Sequence, residues 1–289
     1  MATKGDLSKA RTLIDEYHKN DPAYLSNQSQ PPHNKKRDEQ TYSDNVERWV
    51  IRLIQTSLDQ PSTSDLDVKQ RTLDLFSSIR SAAAAASDST TKTNEEEWSQ
   101  EIEILKLAAR CQHLGRYLHP RQDHPPGKAG YLKWRRELYQ IQADRASTIL
   151  SQSGFQEDLV NLVASWVAKK GLKVGKADQS EWGAQLLEDS AILVFLEDEL
   201  ESFAEQHQDY QKEKFLDIIR KTWRKLSTQG KEATRQLSMP KGLEELIHQA
   251  VGRLEEEEEE EKEKEKAGEG KEKETQETIK VNEEGREQM

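Results

Sequence analysis

The chain's 289 residues suffice for one large domain or two small ones, at roughly 100–200 residues per domain. Its hydrophobic fraction is 33%, and about 38% with the 14 glycines, below the roughly 45–50% of a soluble domain, so part of the chain cannot pack. Residues 255–289 hold 16 Glu, no Asp and 7 Lys+Arg, a net −9 of the total −11; the body is near neutral, which excludes a globally basic nucleic-acid binder.

Leu7, Ala10, Leu13, Ile14 and Tyr17 predict a first helix, closed by Asn20-Asp21-Pro22, because proline disfavours helical geometry in the residue before it. Residues 23–40 are polar and Pro-containing and read as loop. Val46, Trp49, Val50, Leu53, Ile54 and Leu58 follow the i, i+3, i+4, i+7 spacing of an amphipathic helix over 46–58. The stretch 60–96 carries a weaker pattern over Leu66–Ile79, then an alanine run and a Ser/Thr-rich segment, and reads as an insertion or mobile arm. From Trp98 the helical pattern is nearly continuous: 98–118, 131–151, 158–169, 182–204, 212–226 and 243–254, separated by Pro120, Pro125-Pro126-Gly127, Gly154, Gly171 and Gly230. No alternating strand pattern is visible.

The expected fold is therefore all-α, in four parts: N-terminal helices and loop (1–59), the arm (60–96), a compact core helical domain (97–254) and a Glu/Lys-rich tail (255–289) for which disorder is expected. The longest apolar run beyond alanine, Ala191–Leu196, is far short of the roughly 18–20 residues that span a bilayer, so no membrane association is expected. The N-terminus lacks the apolar stretch of a secretory signal, and a lone cysteine, Cys111, cannot close an internal disulfide. An intracellular, reducing location is expected, the cytoplasm first, with the nucleus left open.

Phosphate-binding glycine loops, dinucleotide fingerprints, nucleophile elbows, zinc motifs and EF-hand spacing are all absent from the sequence. The informative positions are polar residues where a helical period calls for apolar ones. At 100° per residue His113 falls with Ile102 and Ala109, Gln142 with Leu138 and Ile149, and Asp189 with Leu186, Leu193, Leu196 and Leu200. An inward histidine is ordinarily a satisfied core residue, and an inward aspartate half of a buried ion pair. Three together, near Arg110, Arg116, Arg121, Arg135, Arg136, Lys169, Lys170, Lys221 and Lys225 and the rings of Tyr131, Trp134, Tyr139 and Trp223, suggest a pocket for a phosphate, carboxylate or nucleotide.

The blocks LAARCQHLGRYLHPR (107–121), YLKWRRELYQIQADRA (131–146), LLEDSAILVFLE (186–197) and KTWRKLS (221–227), with the early Asn20-Asp21-Pro22, resemble a domain family of unknown function found in fungi and bacteria. Some of its members carry a glutamyl-tRNA synthetase label, which nothing in this sequence supports. More distantly, the order His113, Gln142, Asp189 resembles the HD-domain phosphohydrolases, whose five-helix core holds divalent metals on a His, a His-Asp pair and a distant Asp. That resemblance implies His113 and Asp189 as catalytic metal ligands, with Gln142 where the middle His is expected and Ala143 where its Asp would follow. A glutamine carbonyl oxygen suits Mg²⁺ or Mn²⁺ better than Zn²⁺, so Mn, Mg or Co is the implied metal.

Three functions compete. The first is a metal-dependent phosphohydrolase acting on a small phosphorylated or nucleotide substrate, with Arg116, Arg121, Tyr131, Trp134, Arg135 and Lys170 as substrate contacts. The second is a non-catalytic helical domain binding a small anionic ligand, and the third an adaptor whose acidic tail contacts basic proteins. Neither substrate nor oligomeric state can be read from the sequence.

Overall fold

The computed structural model describes residues 5–31, 35–59, 66–83, 98–173, 175–207, 211–237 and 239–253. The acidic tail, and residues 60–65 and 84–97 of the expected arm, lie outside the described residues. The protein is all-α: among the described residues there is no strand. Its helices are α1 (Leu7–Lys19), α2 (Pro22–Asn27), α3 (Glu39–Asp59), α4 (Leu66–Ala83), α5 (Ser99–Arg110), α6 (Gly127–Gln152), α7 (Glu157–Val167), α8 (Trp182–Val194), α9 (Leu200–Gln206), α10 (Lys212–Trp223), α11 (Thr228–Ala233) and α12 (241–253). A π-helical turn, Phe195–Glu199, joins α8 to α9. None of these helices is long and apolar enough to cross a membrane.

The helices divide into two compact units, Met1–Leu200 with Arg224–Ser238, and Glu201–Trp223 with Met239–Met289. In the second, the Phe203 and Phe215 rings lie 6.0 Å apart and Glu213 pairs with both Arg220 and Arg253. In the first, α3 is central, packing against α5 and α8, while α6 packs along α7. The apolar stripe read from the sequence is the reason: Val46, Trp49, Val50, Leu53 and Ile54 are all buried in one core. The stretch expected as an arm joins that core, because Leu75, Phe76 and Ile79 of α4 are buried in it.

Acidic N-caps set where the helices begin. Asp6 accepts from the Lys9 backbone N–H, Asp21 from Ala23 and Asp38 from Thr41, satisfying amides that have no partner inside a first turn. Asp21-Pro22 thus both stops α1 and starts α2, with proline in the first turn where its missing N–H costs nothing. Residues 22–27 are helical where a loop was expected.

A buried arginine ties α1, α3 and α5 together. Arg110 is 1% exposed, and its guanidinium meets Asp15 at 2.5 Å, Asp44 at 2.6 Å and Glu47 at 2.7 Å. A charge so placed is tolerated only because it is paired on every side.

Candidate functional site

The continuous helix expected over 98–118 does not form: α5 ends at Arg110 and the chain turns through 111–115. The Glu39 carboxylate, at the start of α3, accepts the backbone N–H groups of Gly115 (2.8 Å) and Tyr117 (2.7 Å), diverting them from helical bonds. Gly115 sits at φ +70°, the left-handed region that a side chain disfavours. From the other side Arg145 donates to the carbonyls of Leu114 (3.0 Å) and Gly115 (2.9 Å), and Trp134 donates to the carbonyl of His119 (2.8 Å). His113 and Arg116 therefore stand on a pinned turn after α5, and a helical projection does not apply to them.

A β-carbon at Gly115 would come 2.3 Å from an Arg145 guanidinium nitrogen and 2.8 Å from the Tyr17 ring. With the cost of a non-glycine left-handed residue, about 1–2 kcal/mol, Gly115→Ala is expected to lower the urea midpoint. An unchanged midpoint would mean that the turn is not held in this conformation.

His113, Arg116, Arg121 and Trp134 line one cavity of about 320 Å³ together with Arg37, Tyr42 and His119 and with the acids Asp21, Asp38 and Glu39, whose oxygens accept from backbone amides. The Tyr42 ring stacks on His113, with centroids 3.7 Å apart and planes 9° from parallel. Arg37 lies over Tyr42 at 4.8 Å and pairs with Glu199 at 2.6 Å, while Arg116 lies over Trp134 at 4.9 Å. Arg121 spends its donors on the carbonyls of His124, Pro125 and Gly127 and so staples the turn before α6. Tyr131 is 43% exposed beside Trp134, their rings 5.9 Å apart.

Behind this wall, Arg135 lies over the Tyr139 ring and donates to its hydroxyl. Gln142, buried on α6, shares a face with Arg135 and Tyr139 by the i, i+4, i+7 spacing. Lys170 is exposed, whereas its neighbour Lys169 reaches Glu188 at 3.0 Å from a backbone at φ 60°. Lys225 also approaches Glu188, at 3.6 Å. Burial opposes the Glu188 charge, yet Lys169 and Lys225 outweigh it and bring the carboxyl down to about 2.

The donor pattern around His113 decides the chemistry. An Arg116 guanidinium nitrogen lies 2.8 Å from Nε2, and an Arg37 nitrogen 3.4 Å from Nδ1. Guanidinium only donates, and a neutral ring has one lone pair to offer the two arginines; the shorter contact assigns it to Nε2. Burial, and then the charges of Arg116 and Arg37, hold the imidazole well below its usual range, so the ring is neutral and its one proton is on Nδ1. That N–H faces Arg37, a donor opposite a donor. His119 is constrained alike: Arg145 lies 2.9 Å from its Nε2, and burial and Arg145 lower its pKa.

Asp189 is not in this cluster. One of its oxygens accepts from the Ser227 backbone (3.0 Å) and Gln185 (2.8 Å), and the other from the Ser227 hydroxyl, which in turn caps α11 by accepting from the Gly230 N–H. Its oxygens are occupied within the protein, and the ring nitrogens of His113 face guanidiniums. His113, Gln142 and Asp189 thus do not make a coordination set, and a divalent cation does not fit among Arg37, Arg116, Arg135 and Lys169. Among the described residues, no group of three or more His, Cys, Asp or Glu is arranged to hold a metal.

Sequence reasoning missed Arg37, Tyr42, His119, Glu188 and Glu199. Glu188 stood beside the residue chosen, and only its pairing with Lys169, itself next to the lysine chosen, tells the two acids apart.

No curated protein and no solved structure matches this chain. A family model does, over residues 8–247. The four sequence blocks, the pinned turn that carries His113 and the cation cluster around it all fall inside that span, and the chain belongs to the domain-of-unknown-function family DUF4202.

Proposed function

We propose that this protein binds a small anionic ligand, without a metal, in the cavity beside His113, Arg37 and Arg116. The observation that carries this is Arg116, whose guanidinium lines the cavity with the His113 imidazole as its hydrogen-bond partner and with no carboxylate within 4 Å among the described residues. An anionic oxygen beside it accepts a charge-assisted hydrogen bond and balances its charge. The buried Cys111, whose thiol is pushed up to about 12 by burial, is chemically quiet and suits an intracellular protein.

Calorimetric titration of the full chain with inorganic phosphate tests the reading. Saturable binding is expected, unchanged by EDTA, and with no turnover of p-nitrophenyl phosphate when Mn²⁺ is added. Binding that needs Mn²⁺, or Mn²⁺-dependent turnover, would instead restore the metal-dependent hydrolase; no binding at all would sink the anion pocket.

A further inference from the structure

We infer that His18 is a positioning residue for the anion site: as an imidazolium it holds the Glu39 carboxylate against the turn that carries Arg116, so phosphate affinity rises when His18 gains its proton. This rests on the anion-binding reading above and names a control on that same site. His18 stands in the last turn of α1 and is fully buried. Its Nδ1 lies 3.3 Å from a Glu39 carboxylate oxygen, and its Nε2 lies 2.7 Å from the Arg110 carbonyl oxygen. That carbonyl ends α5, where a helix leaves its last carbonyls without partners. Both neighbours only accept, so a neutral ring, with one N–H and one lone pair, can satisfy only one of them. The shorter contact assigns the N–H to Nε2, and the lone pair then faces the carboxylate. Protonation replaces that opposition with a charge-assisted hydrogen bond, at a helix C-terminus whose dipole favours a cation.

The effect reaches the site through Glu39. The oxygen that meets His18 also accepts the Gly115 N–H at 2.8 Å, and the other oxygen accepts the Tyr117 N–H at 2.7 Å. These two amides flank Arg116, so a carboxylate driven from its place shifts the guanidinium that faces the cavity. The other charges brought by the helices packed on α1 are already engaged. Asp21, at the start of α2, accepts the Glu39 backbone N–H. The Arg110 guanidinium of α5 is met by Asp15, Asp44 and Glu47, and Arg145 of α6 is spent on the Leu114 and Gly115 carbonyls and the His119 ring.

Calorimetric titration of the full chain with inorganic phosphate at about pH 6 and about pH 8.5, wild type beside His18→Gln, forms the test. Phosphate's own second ionisation and the rings of His113 and His119 act alike in both proteins and cancel in the ratio of affinities. A glutamine amide still donates to one acceptor but does not titrate. The ratio of wild type to variant is expected to fall from about tenfold at the lower pH to about one at the higher. Coupling of this kind is reciprocal, so saturating phosphate should raise the pH midpoint of His18 in the wild type by about one unit, read by nitrogen NMR of isotope-labelled histidine. That second measurement stands even where circular dichroism shows the variant misfolded. A constant ratio, or a midpoint that phosphate leaves unmoved, would overturn the coupling while leaving the anion pocket standing. Absence of phosphate binding in the wild type would remove the pocket itself, and the coupling with it.

Discussion

Arg116→Gln is expected to weaken phosphate binding by on the order of a hundredfold, about 3 kcal/mol, while leaving the protein as stable as the wild type or more so. The two effects have one origin. Arg116 holds a charge in a largely enclosed position beside Arg37 and Arg135, with a neutral imidazole as its only hydrogen-bond partner among the described residues. Its removal relieves repulsion and desolvation, and the glutamine amide can still donate to His113 Nε2. The lost contact with the Trp134 face is worth about 0.5–2 kcal/mol and sets the limit on any gain. Calorimetry with phosphate and thermal unfolding of the same variant check the pair. A lower melting temperature with unchanged phosphate affinity would make Arg116 a structural residue and remove the central cation of the site.

Asp189 is expected to make the protein less stable as pH rises between about 5 and 7. Burial outweighs the three hydrogen bonds it accepts and pushes its carboxyl up from 3.8 to about 7. Within that interval the folded state binds a proton that the unfolded chain does not, so the stabilisation is complete below the unfolded pKa and is lost as pH rises through the folded one. The full difference is at most about 4 kcal/mol at 1.36 kcal/mol per pKa unit. Glu188 has the opposite sign, since its depressed pKa makes stability fall only under more acidic conditions, and the window from pH 5 to 7 separates the two.

Asp189→Asn keeps an oxygen for the Ser227 N–H and the Gln185 amide, and its own amide can donate to the Ser227 hydroxyl oxygen. Urea unfolding from pH 5 to 8 should show a sloping wild type and a flatter variant, with phosphate affinity alike in both. Parallel slopes would refute the buried proton. A loss of phosphate binding in Asp189→Asn would bring this residue back into the site.

Helices with one solvated face were legible in the sequence. The stripe of α3 reads correctly because Glu39 to Asp59 alternates buried apolar and exposed polar residues at the helical period. In α8 every residue from Trp182 to Ser190 is buried, so the period marks no outward side and cannot separate Glu188 from Asp189. His113 was singled out for a reason that does not hold, since the helix on which it was projected ends three residues earlier. It matters nonetheless, through contacts to Arg37 and Tyr42. These partners, and the Arg37–Glu199 pair, meet only through tertiary packing, and no local pattern announces them. Arg121 shows the converse, a cation in the expected block whose donors are consumed by backbone carbonyls.

The turn at Phe195–Glu199 bonds i to i+5, and so holds one residue more than an ordinary helical turn. Because of that surplus, Glu197 reaches Arg48 and Trp49, Asp198 reaches Asn45, Glu199 reaches Arg37, and Leu200 remains fully buried. The segment is in effect a length gauge. Deleting a single residue within it would let the segment close as an ordinary helical turn, in which Glu197, Asp198 and Glu199 cannot all keep their present directions, and Glu199 would part from Arg37. The cavity would then lose an anchor although none of its own residues had been replaced.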